Sequence, residues 1–332
     1  MDKNVTPAVS VLLPVYNCPT FVGGAIESIL GQTWTDFELI VIDDGSTDET
    51  PAVLQRYNDS RLILLSQPNR GLSATLNRGI ELARGRFIAR QDQDDVSLPE
   101  RLAKQVLLFE SSPRCGLVGT WAEIWRDSES TGRQHRHAAS NTELQFELLL
   151  NNPFVHSSVM MRKSALDDVG GYSVDPRRQP PEDYELWSRI ARKYEVANIP
   201  EILHVYREVQ GSMSRDGQAP FVERLVTICA ENIAYAAKVE ASNRHVINIA
   251  SLVHGALHRV KGKPDLRAMM EIFRRAARAV VPEEERARYG REAERKISAL
   301  RYSYPRLFGM NPVARVLASL VRRTAALLKG SG

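Results

Sequence analysis

The chain has 332 residues, 43% of them hydrophobic and 25% charged, the composition of a folded soluble protein and not of a disordered tail. Its net charge of +4 is too small over this length to argue for nucleic acid, and Arg315, Arg322, Arg323 and Lys329 within 311–332 alone supply that much. Cys18, Cys115 and Cys229 are far apart and form no CxxC, so neither a disulfide framework nor a zinc cluster is supported and a reducing cytoplasm fits.

Residues 9–15 (VSVLLPV) read as a buried strand, and 20–32 as a helix with Phe21, Ala25, Ile26, Ile29 and Leu30 on one face. Residues 37–43 (FELIVID) are a second strand. Ser46 and Glu49 have capping-box spacing, which predicts a helix from just after Asp43-Asp44 towards Tyr57. Residues 61–66 are a third strand, 72–84 a helix stopped at Gly85, and 86–91 a fourth strand. Ser97 and Glu100 make a second capping box, with Pro99 in the first turn of a helix to Glu110. There follow a strand over 116–125, a polar connection over 126–140, a helix over 142–150, a strand over 155–161, a short helix to Val169 and a helix over 183–192. YEVANIP and ILHVYR close this region, and past Phe221 helical periods run to the end. Short β runs alternating with helices predict an α/β fold over 1–217, with a helical region over 218–332.

This order leaves Asp43-Asp44 at the carboxyl end of the second strand and Asp92-Gln93-Asp94-Asp95 at that of the fourth. Both clusters then face one edge, where open α/β sheets bind ligands. Carboxylates packed this closely repel one another, which either solvent or a divalent cation relieves; magnesium and manganese favour such oxygens and share them with a substrate's phosphates. Gly45 and Ser46 suit a tight strand-to-helix turn, but a turn alone does not explain Asp43 and Asp44, which suit the N–H and hydroxyl donors of a nucleotide. No GxGxxG follows the first strand and no GxxxxGK occurs, so the backbone phosphate cradles are missing. A third acidic pair, Glu182-Asp183, opens a helix after Pro180-Pro181 and is either a helix-start charge or a catalytic acid or base.

Seven motifs stand in order over about 8–214: Pro14-Val15-Tyr16-Asn17, Ser28-Ile29-Leu30-Gly31-Gln32-Thr33, Val41-Ile42-Asp43-Asp44-Gly45-Ser46-Thr47-Asp48, Asn69-Arg70-Gly71-Leu72, Asp92-Gln93-Asp94-Asp95, Gly170-Gly171-Tyr172 and Glu182-Asp183-Tyr184-Glu185-Leu186-Trp187. In this the chain resembles the family 2 inverting glycosyltransferases of the GT-A fold. The resemblance implies a nucleotide-diphospho-sugar donor, a uridine one on this reading, with Pro14 and Tyr16 near the base, Asp44 on the base, Asp43 among the donor-binding residues and Arg70 in the nucleotide pocket. It implies that Asp92 and Asp94 contact the donor, that Asp94 and Asp95 hold Mn2+ or Mg2+ on the diphosphate, and that Asp183 is the general base. The chemistry agrees, because inversion needs one base on the acceptor side and positive charge on the leaving diphosphate. The chain departs from the family at Val209, where a histidine commonly follows Tyr206-Arg207.

His204 reads as a partly buried strand residue, His156 as structural or acceptor-touching, and the 135/137 and 254/258 histidine pairs as no zinc site. Trp187 reads as core. Residues 311–329 carry Val313, Val316, Leu317, Leu320, Leu327 and Leu328 opposite the basic residues, a helix that either docks on the protein or rests on anionic lipid. The expected acceptor is a saccharide or lipid-linked saccharide in cell-surface polysaccharide synthesis, at the inner face of the cytoplasmic membrane. The rival readings are a sugar-phosphate nucleotidyltransferase, which lacks its Gly-rich basic loop here, and a silent carbohydrate- or sugar-nucleotide-binding module.

Overall fold

Strand β1 (Val9–Val15), helix α1 (Val22–Leu30), β2 (Phe37–Asp43), α2 (Thr50–Leu54), β3 (Leu62–Ser66), α3 (Leu72–Leu82) and β4 (Phe87–Arg90) alternate as parallel strands and crossover helices. Both faces of β1 and β2 are covered, hence their largely apolar sequences, and the buried Ser10 hydroxyl donates to the buried Glu38 between them. Proline is tolerated at position 14 because β4 pairs with β1 only from Val9 to Leu12, so no ladder bond on that side is lost. The computed structural model describes residues 6–209 and 219–309, which divide into one unit of 6–144 and 152–209 and another of 145–151 and 219–309.

The chain continues with β5 (Val96–Ser97), α4 (Arg101–Ser111), β6 (Cys115–Arg126), β7 (Glu129–His135), α5 (Asn141–Glu147), whose residues 145–147 belong to the second unit, a 3-10 turn (His156–Ser158), β8 (Met160–Arg162), α6 (Lys163–Val169), α7 (Glu182–Ala191) and β9 (Glu195–Glu208). The mixed sheet runs β3-β2-β1-β4-β8-β6-β9-β5, with β7 paired to β6. Its core includes Phe37, Phe87 and Phe109, the last two stacked with centroids 4.8 Å apart. The α/β fold read from the sequence is therefore the one that forms.

Five local expectations need correction. Neither capping box forms: α2 begins only at Thr50, and the Ser46 hydroxyl accepts from the Asn17 N–H at 3.0 Å instead. Ser97 lies in β5 paired with β9, its hydroxyl donating to Gln91, and α4 begins at Arg101. Gly85 does not stop α3, which ends at Leu82; a side chain at Gly85 would sit 2.6 Å from the Ser10 backbone nitrogen, so close approach to β1 is its role. The polar connection over 126–140 contains β7, whose residues give no apolar alternation because most are exposed. Of 155–161, the first half is the 3-10 turn and only Met160–Arg162 is strand, while the two closing segments form the single strand β9.

The second unit packs α8 (Ala219–Ala237), α9 (Arg244–Val253), α10 (Leu266–Ala279) and α11 (Arg286–Ser303) around Ile233, Met269, Phe273 and Ile297. Asn243 and Asp265 cap α9 and α10 through their side chains. No helix among the described residues is long and apolar enough to cross a membrane. The expected amphipathic helix over 311–329 lies outside the described residues.

Candidate active site

Beyond β1 the chain ties two acidic loops together. Tyr16 N–H donates to the Gln93 side chain at 2.7 Å and receives its amide in return, Asn17 N–H reaches Ser46, and Cys18 N–H reaches Thr50 at 2.8 Å. The Asp43-Asp44 turn and the Asp92–Asp95 loop are thereby fixed to the same three residues. Asp43 accepts from Ser46 N–H, closing the turn. Asp44 is buried and accepts from Gln67 at 2.6 Å and from the backbone N–H groups of Arg70 and Gly71 at 3.0 and 2.9 Å. It holds the 67–71 loop against the turn, and Gly45 makes this possible, since at φ 79 its backbone passes where a Cβ would lie 2.7 Å from Asn69 N. Pro14 is buried in β1, whereas Tyr16 is 45% exposed and Arg70 is exposed.

The Asp92–Asp95 loop is organised by a cation that sequence reading missed. Arg90, fully buried at the end of β4, donates to the Gln91 carbonyl and to Asp92 Oδ1 at 2.5 Å. Burial opposes charge on Asp92, but the Arg90 guanidinium holds its carboxyl below the usual range. Asp94 is the reverse case. Burial, then the negative charges of Asp95 and Asp92, push it up to about 8. Asp95 is pushed up to about 7 by burial and by Asp92, opposed by hydrogen bonds from Ser157 and Arg207.

Asp95 departs from its expected place as a metal ligand. Its carboxylate turns into the protein, where Oδ2 meets Ser157 Oγ and His204 Nε2, the latter at 3.1 Å, and Oδ1 accepts from Arg207 N–H at 2.7 Å. Burial demands partners for each oxygen, and the 3-10 turn and β9 supply them. His204 is fully buried, not partly, and burial and Arg101 hold it neutral. Arg101, also buried, donates to the carbonyls of Arg90 and Ser157, both at 2.7 Å, and so joins β4 to the turn. A buried arginine directly after Leu98-Pro99-Glu100 had no periodic signal. An Arg immediately before an acidic loop was the available clue for Arg90.

Glu182 and Asp183 open α7, and Asp183 accepts from Tyr184 N–H at 2.7 Å and from the Asn152 side chain at 2.8 Å. Burial raises Asp183 to about 6, against those two hydrogen bonds, and burial together with Asp183 raises Glu182 to about 7. His156 Nδ1 lies 3.8 Å from Glu182, and its Nε2 pairs with Tyr172 OH at 3.1 Å; burial keeps it neutral. Asp92 acts on both Glu182 and Asp183, so these two acidic stations share one electrostatic neighbourhood around Arg90. Asp44 is joined to them through the end of β1, its N–H donating to the Val15 carbonyl at 2.8 Å next to Tyr16, which clasps Gln93. Trp187 is core, fully buried.

Among the described residues no three His, Cys, Asp or Glu side chains form a ready metal-ligand set. The neighbourhood nevertheless fits a divalent cation shared with a diphosphate, because burial and the negative charges of Asp95 and Asp92 disfavour ionised Asp94, and a cation there would relieve both.

An α/β sheet with acids converging at its carboxyl edge defines the class, and solved structures agree. The crystal structure of S. aureus TarS residues 1–349 with UDP-GlcNAc superposes with a TM-score of 0.60 over 92% of this chain and 93% of that chain at 17% identity. TarS with UDP gives 0.57. The fold is that of the GT-A glycosyltransferases. Residues 10–170 match the model of glycosyl transferase family 2. EpsE of Bacillus subtilis, named as a glycosyltransferase, is 34% identical over 217 residues, covering 64% of this chain and 77% of that protein. The amylovoran biosynthesis glycosyltransferase AmsE of Erwinia amylovora is 34% identical over 200 residues, 58% of this chain and 74% of AmsE. The O-antigen biosynthesis glycosyltransferase WbnJ of Escherichia coli is 30% identical over 62% of this chain and 82% of WbnJ. The chain belongs to glycosyltransferase family 2.

Proposed function

We propose that the protein is an inverting glycosyltransferase that moves a sugar from a nucleotide-diphospho-sugar, a uridine one, to a saccharide or lipid-linked acceptor in surface polysaccharide synthesis. The observation that carries this reading is the meeting of Asp92, Asp94 and the Glu182-Asp183 pair around the buried Arg90. The names of AmsE and WbnJ support the polysaccharide context, and the UDP complexes of TarS support the uridine donor.

Asp44 and the backbone it gathers at Arg70 and Gly71 form the nucleoside side of the site, with Pro14, Tyr16 and Asp43 around the base. Asp92 and Asp94 would hold Mn2+ or Mg2+, which would supply Lewis-acid stabilisation of the charge on the departing diphosphate. Asp95 carries no ligand role in this proposal; it anchors the loop. Asp183, kept basic enough by burial to take a proton near neutrality, removes the acceptor's hydroxyl proton as that oxygen attacks the anomeric carbon. The bond to the diphosphate oxygen breaks on the opposite face, its electron pair leaves with the nucleotide, and the proton rests on Asp183. Asn152 and Tyr184 N–H, one on each carboxylate oxygen, fix the orientation of the Asp183 carboxylate.

The test is a calorimetric screen of UDP, GDP, CDP and ADP with and without Mn2+, followed by hydrolysis of the matching nucleotide sugars. Tight UDP binding only with the metal, and release of UDP from one UDP-sugar, is expected. Metal-independent binding with no donor turnover would leave the silent binding module as the better account.

A further inference from the structure

One group of side chains is used neither by the core nor by the chemistry above. His135 and His137 stack with ring centroids 5.6 Å apart and planes 11° from parallel, and Tyr206 meets His135 edge-on at 5.4 Å. All three are half-buried on an otherwise polar edge of the sheet. The register explains the gathering: Ala122 on β6 lies between His135 on β7 and His204 on β9. Tyr206 follows His204 by two residues and so shares its face. His204 in turn bonds Asp95, so the rings begin one strand away from the acidic loop, on the same face.

We propose that His135, His137 and Tyr206 form a platform on which a hexopyranose unit of the acceptor stacks. The inference rests on the glycosyl-transfer reading and adds to it the surface that positions the second substrate. A pyranose offers a face of C–H groups to a flat ring and hydroxyls at its rim. The rim here is polar: Arg133 pairs with Glu208 at 2.5 Å, and Arg136 bonds Gln134 at 2.6 Å while its guanidinium lies 5.2 Å over Trp121. Trp121 Nε1 donates to the His137 carbonyl at 2.9 Å and fixes the backbone that carries the ring. Burial pushes His137 down to about 4 and lowers His135, so both rings stay uncharged at neutral pH and their faces stay apolar. The nucleoside side belongs to the β1–β2 end of the sheet. The platform belongs to the β6–β9 end, and the Asn198 amide on β9 donates both to the Ala138 carbonyl, next to His137, and to the Pro153 carbonyl, next to Asn152, the residue that orients Asp183. An acceptor on the rings is therefore on the base's side of the site.

Two measurements test it. Ring signals of His135 and His137 in histidine-labelled protein are followed while methyl glycosides of glucose, galactose and N-acetylglucosamine are titrated in. A saturable shift with at least one glycoside, lost in Tyr206→Ala and kept in Tyr206→Phe, is expected. In turnover assays with the same glycosides, His137→Ala lowers the ratio of transfer to donor hydrolysis about tenfold, and His137→Phe recovers it. Rings that respond to no glycoside overturn the platform, as does an equal fall of transfer and hydrolysis in His137→Ala. A wild-type protein that turns over no nucleotide sugar refutes the transfer reading instead, and the titration then still decides the platform.

Discussion

Replacing Asp94 by asparagine is expected to make the metal-free protein more stable. Asp94 is raised from 3.8 to about 8, by burial first and by Asp95 and Asp92 next. A folded-state value above the unfolded one means that the folded protein keeps a proton the unfolded chain has released. Folding is therefore opposed from about pH 4, where the unfolded carboxyl ionises, and the opposition grows until about pH 8, where the folded one ionises too. At about 1.4 kcal/mol per pH unit, this window sets a ceiling of about 6 kcal/mol. The Asp92–Asp95 repulsion persists in the variant and the amide is itself half-buried, so a net gain of about 1–3 kcal/mol is expected, or about 3–8 °C in Tm. Thermal unfolding in chelator at pH 5, 6.5 and 8 reads this directly: the gain of Asp94→Asn is greatest at pH 8 and shrinks towards pH 5. Adding Mn2+ and UDP then raises the Tm of the wild type more than that of the variant. A gain independent of pH, or none at pH 8, would refute the assignment of uncompensated charge to this carboxyl.

Asp183→Asn is expected to fold and to bind UDP with Mn2+ as the wild type does, yet to lose about 10²- to 10⁴-fold in transfer, measured with saturating donor. Because Asp183 must be ionised to accept a proton and burial sets it at about 6, transfer falls about tenfold per pH unit on the acid side of that value; a flat profile from pH 5 to 8 contradicts its role. Gly45→Ala forces a Cβ against Asn69 N at a φ of 79, costing about 1–3 kcal/mol and displacing the 67–71 loop, so UDP affinity drops while the secondary structure, read by circular dichroism, is kept. Arg101→Met leaves the buried carbonyls of Arg90 and Ser157 without their donor, and denaturant unfolding is expected to show a loss of about 2–4 kcal/mol.

The strands were legible because β1 and β2 are buried on both faces and must read as apolar runs, and the acids were legible because their positions follow from where those strands end. What escaped was decided by contacts far away in the chain. Ser46 and Ser97 carry the spacing of helix caps, but Asn17 and Gln91 compete for their hydroxyls and win. Strand β7 is a polar edge, held by pairing with β6 and not by a buried face, so alternation had nothing to report. Asp95 looks equivalent to Asp94 in sequence; only the folded chain distinguishes the one bound by Ser157, His204 and Arg207 from the one left with its neighbours' repulsion. Arg90 and Arg101 were invisible for a related reason, since a buried arginine is justified only by carbonyls and carboxylates that the tertiary fold delivers.

The bridge at Tyr16, Asn17 and Cys18 has a bearing on engineering. Chimaeras that transplant a relative's 92–95 segment to change sugar preference would also replace Gln93, whose side chain clasps the Tyr16 backbone in both directions. A donor segment with another residue there would loosen the 46–50 turn from a distance, through Asn17 and Cys18. Exchanges that move 14–18, 43–50 and 92–95 as a single cassette respect that wiring.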